Sequence, residues 1–358
     1  MIDFNDLDAI RKLDPSDVYG STAMFAAQCQ QIVDEHFDMN IPVARRPIAN
    51  LVICGMGGSA YGAHVLTALY WDELKIPLVP VSDYRLPGFV DESSLVLLTS
   101  YSGSTEEVLA CAREAEARGA QIAAISTGGA LAEMVRGRYP ILLFDPKNNP
   151  STQPRLGTGY IITATLALLG RLGVIQISKA ELSEAIAEVR RAHDVLKSAA
   201  QLAAPALQGF IPVVFAAEHL VGNAHIMRNQ FNETSKSFAA FEDIPELNHH
   251  LMEGLKNPGD RKLKALFITS DLYTRRNQQR IELTEDVIRQ NGIDYLEHAA
   301  AGSTKLAQVL NVLSFGGYLT LYLGLLYGQD PSLVPWVDYF KEKLSREDRK
   351  STRLNSSH

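Results

Sequence analysis

Residues 95–109 read LVLLTSYSGSTEEVL, an apolar run that gives way to a helical pattern through a cluster of hydroxyls. Ser100, Ser102, Ser104 and Thr105 crowd round Gly103, with no lysine or arginine among them. Hydroxyls and backbone N–H groups at the start of a helix form an anion site that needs no formal charge. Helix capping is the competing explanation: Ser104 with Glu107 fits an S-x-x-E box, and Gly119 fits a helix stop. A second stretch, GMGGSA at 55–60, also follows an apolar run and opens a helix. It fits a dinucleotide fingerprint loosely, with Ala60 last and Asp83 as a ribose ligand at the end of the next run. Ser59 and the neighbouring hydroxyl loop favour a compact phosphomonoester over an extended pyrophosphate, because two such loops at the carboxyl ends of adjacent strands meet in one crevice.

The elements that must position these loops are legible from residue 50 onward. The apolar runs NLVICG, IPLVPVSD, SLVLLTS, QIAAIST and YPILLFD alternate with helical stretches such as AYGAHVLTALYWDEL and TEEVLACAREAEARG. Strands apolar throughout and separated by helices predict a parallel sheet covered on both faces. A looser second series follows: FIPVVFAAEHLVGNAHIM, KALFITSD and IDYLEHAAAG. Ile211 falls 160 residues after Leu51 in an equivalent strand-to-helix context, which fits a diverged internal duplication. The second copy reads AAEHLVG where the first reads CGMGGSAYG, and lacks the glycines that let a backbone approach a phosphate. If only one half binds the anion, it is the first. The connector PKNNPSTQPRLGTG at 146–159 places the domain boundary, giving an N-terminal domain over 1–150 and a C-terminal domain over 151–346.

The chain has 358 residues, 46% of them hydrophobic and 21% charged, enough for two domains with substantial cores. A net charge of −7 with no basic stripe argues against nucleic acid as a partner. Cys29, Cys54 and Cys111 have neither CxxC nor zinc spacing, which suits a reducing, cytoplasmic compartment. The N-terminal MIDFNDLDAIRKLD lacks a signal-peptide core. Residues 306–329 are uncharged, yet carry two Gln, one Asn and four Gly, and are expected to form a buried helix rather than a membrane span. The polar, aperiodic stretch at 347–358 is set apart from the fold as a non-native or disordered tail.

GMGGSAYG, SYSGSTEEVL and QPR at 153–155 resemble the sugar isomerase (SIS) domain family, in its bifunctional phosphoglucose/phosphomannose isomerase branch. NQFNETSK, DIPELNHHLMEG and PWVDYFKEKL are similar to that branch as well, so the likeness spans about residues 20–345. It implies an α/β fold of two SIS-type doubly wound domains, each a parallel sheet flanked by helices. It also implies interconversion of glucose 6-phosphate, and of mannose 6-phosphate, with fructose 6-phosphate through a cis-enediol(ate). No metal or redox cofactor is expected, and the partners implied are a small sugar phosphate and a second copy of the chain in a homodimer. By the resemblance, Gly57, Gly58, Ser59, Ser100, Ser102 and Thr105 hold the phosphate. Glu233 is the proton-transferring base, and His249 opens the sugar ring from across a dimer interface. Lys341 assists that opening, and Arg155 sits beside the enediolate.

The chain departs from the branch at three points. His250 follows the histidine where Asn is common, Val334 precedes the Pro of the C-terminal motif where bifunctional members carry Thr, and Ser104 replaces Asn. Two other functions fit part of the pattern. A non-catalytic SIS sensor of sugar phosphates would keep the serine loops without needing Glu233 and His249, and an NAD-dependent oxidoreductase would use the glycine loop alone.

Overall fold

The computed structural model describes residues 2–41, 46–260 and 262–344. Three helices, α1 (Leu7–Leu13), α2 (Val18–Ala23) and α3 (Phe25–His36), precede the first sheet. That sheet is built from β1 (Asn50–Cys54), α4 (Tyr61–Leu69), β2 (Leu78–Val81), β3 (Ser94–Thr99), α5 (Glu106–Ala117), β4 (Gln121–Ser126), α6 (Gly129–Val135) and β5 (Ile141–Leu143). Two helices, α7 (Thr158–Arg171) and the long α8 (Lys179–Leu207), lead to the second sheet. The second sheet comprises β6 (Ile211–Ala217), α9 (Val221–Glu233), β7 (Ala240–Ile244), α10 (Leu251–Gly254), β8 (Leu263–Thr269), α11 (Arg275–Gln290) and β9 (Tyr295–Ala299). After it come α12 (Lys305–Leu326) and a helical run at 335–344.

Both sheets are parallel, in the orders β2-β1-β3-β4-β5 and β7-β6-β8-β9. In register, Val52 lies between Val79 and Val96, and Val214 lies between Phe241 and Leu266. The second order reproduces the first four strands of the first, as the expected duplication requires. In each sheet the chain reverses its direction of travel between the first strand and the strand on its other side, β3 or β8. Crevices at the carboxyl edge open at such reversals.

The five apolar runs of the first half form β1–β5, and the three of the second form β6, β8 and β9. Val52, Cys54, Val96 and Leu98 face a core made with Val108, Cys111 and Leu131 of α5 and α6. Leu51, Ile53 and Leu97 face the opposite way, into a larger core that runs on through α7, α8 and α12 into the second half. All three cysteines are free and buried. α12 is apolar and long enough to cross a membrane, but 89% of its most apolar window is buried inside the fold, so it is a core helix as expected. α4 and α9 join the halves at close quarters, since a Cβ on Gly222 would clash with the His64 carbonyl. At the same contact the rings of His64 and His225 stack with centroids 3.9 Å apart. The stretch at 347–358 lies outside the described residues.

Candidate active site

Two loops leave the carboxyl edge of the first sheet side by side. Gly57 takes φ 51°, a left-handed conformation that favours glycine, and a Cβ there would meet open space. Gly58 is needed for a different reason: a Cβ would come within 2.8 Å of the Arg155 Cα. The glycine turn and the segment bearing Arg155 are therefore in contact.

Hydroxyls tie these loops together. Thr99 Oγ1 donates to the carbonyls of Cys54 and Ser59, both at 2.8 Å. Tyr101 N–H donates to Ser59 Oγ at 3.0 Å, and Gly103 N–H to Ser100 Oγ at 3.0 Å. The Ser100 and Thr105 hydroxyls bond each other at 2.8 Å, as do those of Ser102 and Ser104 at 3.0 Å. The capping box expected of Ser104 and Glu107 does not form. The N-cap of α5 is Thr105, which makes no side-chain cap bond, because Ser104 turns to Ser102 and Thr105 to Ser100. Gly119 does end the helix, at φ 70°. The first amides of α5 thus point out of the helix without a side-chain cap, beside a group of uncharged hydroxyls. Outward-pointing amides beside uncharged hydroxyls are an arrangement that can hold an anion.

Beside it stands a charged cluster. Arg155, 7% exposed, donates from Nη2 to the carbonyls of Pro331 and Ser332, both at 2.8 Å, and from Nη1 to Gln153 Oε1 at 3.0 Å. Its Nε lies 3.7 Å from Glu233 Oε2 and has no hydrogen-bond partner among the described residues. Glu233 is the last residue of α9. Burial pushes its pKa above the ordinary carboxylate value, against the opposing pull of Arg155, Lys236 and Lys341. A carboxylate raised in this way is a better proton acceptor near neutral pH.

Two further groups belong to the cluster. Lys236 donates from Nζ to the carbonyls of Glu233 at 2.7 Å and Pro331 at 3.1 Å. Burial, then the neighbouring Arg155, draws its pKa down to about 8. Tyr61 is fully buried, and its hydroxyl has no hydrogen-bond partner among the described residues. Its pKa is raised, by burial first and then by Glu233. Neither residue follows from the sequence. Tyr61 looks like any apolar position of a helix, and Lys236 like a solvated lysine.

Arg155, Glu233 and Lys341 thus share one electrostatic neighbourhood, and Arg155 touches the glycine turn. His249 stands elsewhere. α9 runs back across its sheet, so Glu233 sits at the amino edge, while His249 follows the carboxyl end of β7. The five residues of β7 alone set the two edges about 17 Å apart. Asn248 fixes that turn through Thr284 Oγ1 at 2.9 Å and Arg280 Nη1 at 3.1 Å, leaving His249 exposed.

Comparison with known proteins bears on the same residues. Residues 196–344 match the family described as "Bacterial phospho-glucose isomerase C-terminal SIS domain". The chain is 32% identical over 334 residues to the "Bifunctional phosphoglucose/phosphomannose isomerase" of Caldicellulosiruptor bescii, covering 89% of this chain and 96% of that one. It is 32% identical to the protein of the same name from Aquifex aeolicus, covering 84% and 92%. Its fold is similar to the crystal structure of tagatose-6-phosphate ketose/aldose isomerase from Escherichia coli, with a TM-score of 0.64, 14% identity, and coverage of 91% and 95%. Taken with the paired parallel sheets and the hydroxyl-rich turns, these likenesses establish that the chain belongs to the bifunctional phosphoglucose/phosphomannose isomerase family.

Proposed function

We propose that this chain interconverts glucose 6-phosphate and fructose 6-phosphate, and mannose 6-phosphate with the same ketose, by proton transfer through a cis-enediol(ate). The observation that carries the reading is the buried Arg155, held against the glycine turn on one side and 3.7 Å from Glu233 on the other. In this reading Gly57, Gly58, Ser59, Ser100, Ser102 and Thr105 hold the phosphate that substrate and product share. Such contacts position the sugar and contribute uniform binding. Glu233 takes the C2 proton and returns it to C1, and Arg155 Nε, which has no hydrogen-bond partner among the described residues, faces the developing enediolate oxygen. Lys341 assists opening of the ring.

His249 would donate a proton to the ring oxygen from a partner subunit. Its exposure at the far edge of the second sheet supports that route. So does the apolar surface of the terminal run, where Leu333, Trp336 and Phe340 are 58%, 81% and 64% exposed, a face suited to burial in a homodimer. The proposal includes the division at residues 150 and 151, a cytoplasmic location in keeping with three reduced cysteines, and a place in glycolysis and gluconeogenesis.

The test is conversion of fructose 6-phosphate by the wild type and by Glu233→Gln. The variant is expected to lose kcat by about a thousand-fold while still binding substrate. Turnover within ten-fold of wild type would remove Glu233 from its role. The same assay with mannose 6-phosphate, on the wild type and Val334→Thr, reads the contribution of Val334.

A further inference from the structure

The turn after β6, with Glu218, His219 and Leu220, stands where the turn after β1 has Gly57, Gly58, Ser59 and Ala60. Gly57 has φ 51°, and Glu218 occupies the corresponding place at φ 46°. A left-handed backbone is ordinary for glycine and unfavourable for glutamate, so something must hold Glu218 there. Its side chain supplies the reason. Glu218 Oε1 accepts from Thr274 N–H at 2.8 Å, from Thr274 Oγ1 at 2.7 Å and from Asn277 Nδ2 at 2.8 Å. Thr274 is the N-cap of α11, as Thr105 is the N-cap of α5, and neither makes a side-chain cap bond of its own. The carboxylate therefore bridges the same pair of loops, after the first strand and after the helix-linked neighbour, that in the first half form the cradle. Burial pulls its pKa upward, but the hydrogen bonds from Thr274 and Asn277 outweigh this and leave it below the ordinary value. It is an anion at neutral pH.

Space for a larger ligand lies next to it. A cavity of about 580 Å³ is lined by Glu218, Thr274 and Asn277 at one end, and by Trp71, Phe241 and Lys305 among its other walls.

We propose that the second half holds a latent oxyanion site of phosphomonoester class, and that the Glu218 carboxylate is its built-in occupant, excluding phosphate from this end of the chain. The inference rests on reading the first-half loops as a phosphate cradle. The side chain satisfies the donors that a ligand oxygen would otherwise meet, and its negative charge repels a second anion. Substituting glycine suits the backbone and leaves Thr274 and Asn277 facing an empty cradle.

The experiment is calorimetric titration of the full-length chain with inorganic phosphate, in wild type, Glu218→Gly and Glu218→Gln, at constant ionic strength held with chloride. Glu218→Gly is expected to bind one more phosphate per chain than wild type, and its melting temperature to rise with phosphate more steeply than that of wild type. Glu218→Gln, whose side chain still fills the cradle, gains no site. Equal stoichiometry in Glu218→Gly and wild type, or the same gain in Glu218→Gln, would overturn the proposal. A wild type that binds no phosphate, beside a glycine variant that binds one, would instead count against the first-half reading alone. If the glycine variant is isolated unfolded, its recovery on refolding is compared in phosphate and in chloride; higher recovery in phosphate supports the inference, and equal recovery overturns it.

Discussion

In the first half the chain leaves β1 through Gly57, whose missing β-carbon opens onto empty space above the turn. In the second it leaves β6 through Glu218, at nearly the same φ, with its side chain folded onto the start of α11. The strand orders match over four strands, and a threonine stands at the N-cap position of both neighbouring helices. In the second half the donors at the start of α11 bond to the chain's own Glu218, while α5 begins without a side-chain cap bond. On the proposed reading, the scaffold supplies a place for an anion, and the turn residue decides whether that place is filled from within.

The comparison can be broken most directly by exchanging the turn residues. Gly57→Glu is expected to close the first cradle as Glu218 closes the second, lowering kcat/KM for fructose 6-phosphate by about a thousand-fold with the protein still folded. The strain of a β-carbon at this φ is about 1–2 kcal/mol, so a melting curve should show a modest loss of stability. Gly57→Ala carries the strain without the carboxylate and should keep activity within about ten-fold. Activity in the glutamate variant comparable with that of the alanine variant would show that the two turns are not counterparts.

A smaller effect separates the two threonines. Thr105→Val removes a hydroxyl from the open cradle and should raise KM about ten-fold with kcat little changed, the signature of a lost uniform contact. Thr274→Val removes a donor from an internal bond, and should cost about 1 kcal/mol of stability while leaving the kinetics alone. The reverse pattern would invert the assignment of the two ends.

The mildest effect concerns the seam between the halves. Burial holds His64 at about 4, helped by Arg228, and holds His225 at about 3, helped by His64 and Arg228. Both lie below the ordinary 6.5, so the unfolded chain binds more protons than the folded one between these values. Stability is then fully present above pH 6.5 and declines as pH falls toward 3. Thermal unfolding of His64→Phe, which keeps a stacking ring but cannot be protonated, should decline less steeply over this window, by about one proton. An equally steep decline would place the acid sensitivity elsewhere.

Much of this architecture is legible in the amino-acid order because it is locally encoded. Strands such as β1 and β3, buried on both faces, read as unbroken apolar runs. β7, with the sequence AFEDI, does not announce itself. It is an edge strand in which only Ile244 is buried, so half its residues are free to be charged. The hydroxyl cradle is legible for the same local reason, while the capping box fails because Ser102 competes for Ser104. Arg155 and Glu233 meet only through tertiary structure, and family resemblance rather than spacing singles them out. Tyr61 and Lys236 carry no such mark. Their settings appear only once the surrounding chain is in place, leaving the Tyr61 hydroxyl without a partner among the described residues and drawing down the Lys236 ammonium.

The Pro331 carbonyl accepts from both Arg155 and Lys236, and the next carbonyl, of Ser332, accepts from Arg155 again. Main chain rather than side chain therefore latches two of the cations beside Glu233, and main chain carries no sequence to mutate. The third cation, Lys341, hangs from the same latch through a short connector and a helical run. Its bearing is a matter of counting. Adding or deleting one residue within that run would swing the lysine about 100° round the helix axis while the other two charges stayed fixed. On the proposed role of Lys341, the spacing from Ser332 acts as a ruler, and the length of this run matters more than most of its exposed side chains.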